Sequence, residues 1–175
     1  MLTAIITVLR RLCRDAKGAT TLEFALVAIP TFMLLFGTLE FGIMIFESSI
    51  VEGATREAAR KVRTGQAQIS ADAAGTFKTA FCTALFGAFD CTTFSFDVRN
   101  FADFPNIVLP SVTFDANGMA NNVVFQPGGA GTVTTVRVIH QHVFATPLIG
   151  TLMGAGANNS IPITSTAVFK TEPYQ

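Results

Sequence analysis

The order of apolar and polar residues changes character twice along the chain. From Phe24 to Phe46 run 23 residues with one charged group, Glu40. A helix of that length is about 34 Å long, enough to cross a hydrocarbon core of about 30 Å. Pro30 lies near its start and removes one backbone donor, which membrane helices tolerate. The next stretch, ESSIVEGATREAARKVR (47–63), lacks Pro and is amphipathic. Val51, Thr55, Ala58 and Val62 fall on one stripe at helical spacing. Glu52 with Arg56, and Glu57 with Lys61, form i,i+4 pairs in the favourable order. Gly65 follows Lys61 and Arg63 as a stop signal. One helix from about Thr20 to Thr64, about 65 Å long, is predicted, half of it in lipid and half beyond.

Farther on, ISADAAGTFKTAFCTALF (69–86) predicts a short helix with Ser70 as N-cap and Asp72 in the first turn. After Cys91 the period becomes two. TTFSFDVR (92–99) sets Phe94, Phe96 and Val98 on one face. TVTTVRVIHQHVF (132–144) is rich in β-branched residues, and IPITSTAVFK (161–170) keeps Ile161, Ile163 and Phe169 in phase. DANG (115–118) and QPGGAG (126–131) are turn chemistry, and 145–160 reads as a small-residue loop. The expected fold class is α+β: a long N-terminal helix packed on a small antiparallel sheet. Residues 1–18 stand apart as a basic leader, 19–65 form the helix with its membrane segment at about 24–46, and 66–175 form a head.

Charge sharpens this division. Residues 1–18 hold Arg10, Arg11, Arg14 and Lys17 against Asp15 alone, a net of +3, and the remainder carries a net of −3. Basic residues just before a spanning segment keep that end in the cytoplasm, so the head is expected on the far side of the inner membrane. No basic excess argues for a nucleic-acid partner. There are 17 Phe and no Trp.

Three readings compete for the N-terminus. A cleaved secretory signal has a short apolar core followed by a small-x-small site, and this apolar run is too long for it. A plain signal anchor accounts for the charges but not for Glu23, an acidic residue at the mouth of the run, where burial in lipid costs about 2.5–3.5 kcal/mol at the helix centre. The third is a prepilin-type leader: RRLCRDAKGATTLEF resembles the processing site of type IV pilins and pseudopilins. That resemblance implies cleavage by a prepilin peptidase between Gly18 and Ala19, with Glu23 as fifth residue of the trimmed chain. Phe24 stands where Flp-type pilins carry Tyr. The new ammonium on Ala19 and the Glu23 carboxylate would lie one helical turn apart, and a paired charge is cheaper to hold in lipid than a lone one.

GTLEFGIMIFESSIVEGATREAARKVRTG (37–65), with its Glu40-Phe41-Gly42 step and the Ala-rich stretch Ala54 to Arg60, is similar to the TadE-like proteins of tight-adherence pilus machines. The ending TSTAVFKTEPYQ, with Glu172, Pro173 and Tyr174, also resembles them. The middle, 66–163, carries no resemblance. The family implies a pilin-like fold and a minor pilin or pseudopilin that helps assemble a Flp-type pilus. Its implied partners are the prepilin peptidase, other pilins or pseudopilins, the assembly platform and inner-membrane lipid, in a homo- or hetero-oligomer. No catalysis is implied. The rival is a signal-anchored periplasmic binding or sensing domain, uncleaved and unrelated to pili.

Glu40 lies about 24 Å along the axis beyond Phe24, and with Phe41 and Gly42 it is expected to meet another subunit within the membrane. If the leader is removed, Cys13 goes with it, leaving Cys82 and Cys91 on the oxidising side, where they form a bridge or remain two buried thiols. His140 and His142 alternate on one strand face; without an acidic or thiol neighbour in sequence, a polar face is the simpler reading and no metal is expected. QPGGAG lacks the Lys-Ser/Thr ending of a phosphate loop, and no Ser sits in a nucleophile elbow. No cofactor or catalytic residue is assigned.

Overall fold

The computed structural model describes residues 18–156 and 158–174. The residues up to Lys17, with Cys13 and the rest of the expected leader among them, lie outside that range. The architecture is α+β. Helix α1 spans Ala19–Arg63 and α2 Ala73–Ala84; strand β1 spans Phe94–Phe101 and β2 Val133–Val143; a short α3 covers Pro147–Leu152, and β3 covers Ser160–Lys170. The three strands form one antiparallel sheet in the order β1-β2-β3. Phe94 pairs with His140, and Val133 with Lys170.

Two compact units divide the chain, one ending at Leu39 and the other spanning Glu40–Gln175. In the first, Leu22, Phe24, Leu26, Val27 and Ile29 are all exposed. Phe32 and Phe36 stack with ring centres 6.0 Å apart. After Pro30 the Thr31 hydroxyl donates back to the Val27 carbonyl at 2.7 Å. The most apolar 18-residue window of α1 has a mean hydropathy of 1.9 and no buried residue, so by length and composition this helix can cross a membrane.

In the second unit the predicted stripe is buried: Val51, Thr55, Ala58 and Val62, joined by Ala54 and Ala59. Facing it are Phe77 and Phe81 of α2 with its C-cap Leu85, Phe94 and Val98 of β1, and Val136 and Val138 of β2. The phenylalanines form a connected cluster: Phe81 packs edge-on against both Phe94 and Phe96 at 5.1 Å, and Phe77 against Phe96 and Phe125 at 5.6 Å. Such edge-to-face pairs contribute about 0.5–1.5 kcal/mol each beyond the area they bury. Helix α1 ends where expected. Gly65 has φ +78°, and a side chain there would collide with the Tyr174 ring. The Glu172 amide donates to the Arg63 carbonyl at 2.8 Å, and Glu172 pairs with the Arg63 guanidinium.

Several local expectations need correction. Helix α2 is capped by Asp72, not Ser70: the Asp72 carboxylate accepts the Gly75 amide at 2.8 Å, while the Ser70 hydroxyl is spent on the Ala67 carbonyl. Glu57 pairs with Arg60 rather than with Lys61, which donates to Gln66. The 145–160 stretch is not all loop. Pro147 at the first helical position opens α3, and Gly150 lets that helix lie against the Asn159 side chain, a site a Cβ would fill. β1 does place Phe94, Phe96 and Val98 on one face, but its other face is covered too: Ser95 and Asp97 are buried. β3 keeps Ile161, Ile163 and Phe169 on its more buried side.

Candidate functional site

On the face of α1 turned to the sheet, two carboxylates stand seven residues apart, which is two turns on one side of the helix. Glu40 and Glu47 are both buried, at 6% and 4% exposure. They sit where the apolar run gives way to the amphipathic stretch.

Glu47 meets both histidines of the β2 end. His140 and His142 share a strand face because strand side chains alternate. His140 Nε2 lies 2.6 Å from Glu47 Oε1, and His142 Nδ1 lies 2.5 Å from Oε2. The His140 ring stacks on Phe94 at 4.4 Å, and the His142 ring stands edge-on to Phe144 at 5.0 Å. Burial alone would raise the Glu47 carboxyl above its ordinary 4.5, but the hydrogen bonds from His140 and then His142 outweigh burial and hold it lower. The cluster floors a cleft of about 480 Å³ whose walls include Ile43, Thr93, Asn117, Met119 and Val143.

The geometry of this cluster bears on two chemical uses. The carboxylate oxygens and ring nitrogens face one another directly, and among the described residues no group of three or more His, Cys, Asp or Glu is arranged to hold a metal. Thr93 Oγ1 lies 3.2 Å from His140 Nδ1, completing a hydroxyl–imidazole–carboxylate series, yet that hydroxyl also reaches the Asp90 carbonyl at 2.8 Å.

Glu40 has a partner within its own chain. Its Oε1 accepts the backbone amides of Ala145 and of Thr146, the latter at 3.1 Å, just before α3. Phe41 is half exposed, and a Cβ built on Gly42 meets nothing within 4 Å. The side of the helix away from Glu40 is therefore open.

A third carboxylate went unnoticed in the sequence. Asp97 lies directly opposite Arg137 in the sheet register and bonds it at 2.7 Å, with Arg99 on its other side at 2.9 Å. It also accepts the Val124 amide, and Arg137 reaches the Pro110 carbonyl, so this pair fastens the long β1–β2 connection to the sheet. Burial opposes ionisation of Asp97, but the hydrogen bonds from Arg99, Val124 and Arg137 prevail and depress its pKa. Opposite charges set among β-branched and aromatic strand residues were the available signal.

At the other end of α1, Gly18 directly precedes Ala19, the first α-helical residue, and Glu23 follows four positions later; all three are exposed. Cys82 and Cys91 form a disulfide with Cα atoms 5.6 Å apart, tying the end of α2 to the turn before β1.

No curated protein and no solved structure matches the chain. Residues 18–60 match the family model described as TadE-like protein, from the Gly18–Ala19 step through the apolar run and into the Ala-rich stretch. Over that segment the chain is similar to TadE-like proteins.

Proposed function

We propose that this protein is a membrane-anchored minor pilin or pseudopilin that helps assemble a Flp-type, tight-adherence pilus. The observation that carries the reading is the TadE-like match, which begins at Gly18 and takes in Ala19, Glu23, the whole apolar run and the Glu40-Phe41-Gly42 step. In this reading a prepilin peptidase cuts between Gly18 and Ala19 on the cytoplasmic side of the inner membrane. The ammonium so created pairs with Glu23, in its own chain or in a neighbour, and sets the register of adjacent helices. The apolar half of α1 packs against other pilins or pseudopilins and the assembly platform. The α+β head stands in the periplasm and makes protein contacts rather than turning over a substrate. Gly37 and Gly42 leave room for close helix approach.

Mass spectrometry of the membrane form, taken from cells that contain the peptidase, tests this reading. A chain beginning at Ala19 is expected. A chain that retains residue 1 would overturn it in favour of an uncleaved, signal-anchored binding domain.

A further inference from the structure

We infer that the segment from Val143 to Gly156, with α3 at its centre, is a second membrane-contacting element that lies in the lipid boundary at the level of Glu40 to Phe46. The inference rests on the anchoring half of the proposed function and adds a lipid-facing surface to it.

Depth is set by Glu40. That residue precedes Phe46, the end of the apolar run, by six positions, or about 9 Å of helix axis. Its carboxylate holds the amides of Ala145 and Thr146, so α3 begins level with the apolar band, where Phe41, Ile43 and Phe46 are exposed. Elements lying on a bilayer bury their apolar face by about 5–10 Å, which matches that depth.

The chemistry of the surface agrees. Val143, Leu148, Leu152 and Met153 are exposed at 62%, 52%, 67% and 45%. After His142 no charged residue occurs until Lys170. A face meant for water rarely dispenses with charge for that long.

Backbone satisfaction supplies an independent argument. Chain entering the lipid boundary has to meet its polar groups internally. Glu40 takes the Ala145 and Thr146 amides, and the Phe144 amide donates to the Asn159 carbonyl at 2.9 Å. The turn after α3 closes on itself: the amides of Met153, Gly154 and Ala155 donate to Ile149, Thr151 and Gly150. Glu40 thus acts as an internal acceptor for the two amides that precede α3.

The full chain with Cys13→Ser, its Cys82–Cys91 bridge intact, is reconstituted at less than one chain per phosphatidylcholine vesicle. An environment-sensitive fluorophore is placed in turn at Leu152→Cys, at Leu34→Cys in the apolar run, and at Ala130→Cys in the turn at the far end of β2. Lipids brominated near the headgroup should quench the probe at 152 several-fold more than the probe at 130, and iodide should do the reverse. Equal iodide quenching at 152 and 130, with 34 quenched by lipid, would overturn the inference and leave the anchor standing. Loss of lipid quenching at 34 would remove the anchor and the inference together. Shielding of 152 that arises only at high protein-to-lipid ratio would assign the surface to a neighbouring copy and refute the lipid assignment.

Discussion

Glu47 Oε2 and His142 Nδ1 lie 2.5 Å apart across 95 positions of sequence, and this bond joins the middle of the long helix to the end of the central strand. With His140 on the other oxygen, both lone-pair faces of a buried carboxylate are engaged. Glu47→Gln should therefore lower stability by about 1–3 kcal/mol at neutral pH, the range for a buried polar group left poorly paired. The folded carboxyl titrates below its ordinary 4.5, so in acid the unfolded chain takes up that proton first. The stabilisation is present above about 4.5 and is lost as pH falls through the depressed value. Chemical denaturation of both proteins in detergent should show the gap between them narrowing in acid. A gap that stays constant with pH would refute the assignment.

Asp97→Ala should be more damaging. It leaves Arg137, whose side chain is 8% exposed, without its main partner. Removing one member of a buried pair typically costs about 3–5 kcal/mol, whereas replacing both with apolar residues is often neutral. Asp97→Leu combined with Arg137→Met should recover much of the loss in the same denaturation measurement.

Glu40→Ala should act locally. It frees the Ala145 and Thr146 amides, and hydrogen exchange at residues 144–154 should accelerate while the core around Phe81 and Val136 stays protected. Acceleration spread evenly over the head would show that Glu40 supports the whole unit instead.

Reduction of the Cys82–Cys91 bridge should cost about 2–3 kcal/mol by the loop-entropy account, since the bridge closes a short span of nine positions. Thermal unfolding with and without reductant measures it. The phenylalanine cluster around Phe81 holds the same elements together, so the reduced head should still fold.

Glu23→Ala probes the proposed assembly role. It should abolish pili while leaving the head's unfolding midpoint unchanged, because Glu23 is exposed and belongs to the first unit. Normal pili from this variant would remove the register function assigned to Glu23.

Local chemistry was readable in the sequence wherever a single element decided the outcome. The end of α1 followed from Gly65, its buried stripe from the spacing of Val51, Thr55, Ala58 and Val62, and the inward phase of β3 from Ile161, Ile163 and Phe169. Helix α3 was missed because six residues containing Gly150 give too little periodicity to register. Asp72 displaced Ser70 as a cap because the Ser70 hydroxyl had a closer use. The site itself was half legible. His140 and His142 stood out, but the acid they share lies on α1, and the partners of Glu40 are 105 and 106 positions away. Contacts of that span depend on how the elements pack, and no local pattern encodes them.

Along the buried seam of α1, three positions are alanines: Ala54, Ala58 and Ala59. Methyl groups offer neither deep knobs nor deep holes, so these three positions contribute little to the axial register of the helix. That buried stretch is instead flanked by specific contacts, by Glu40 and Glu47 gripping fixed donors before it and by Tyr174 closing over Gly65 beyond it. An axial shift of this helix within the head would thus break hydrogen bonds that are either made or lost, besides apolar contact that falls away gradually.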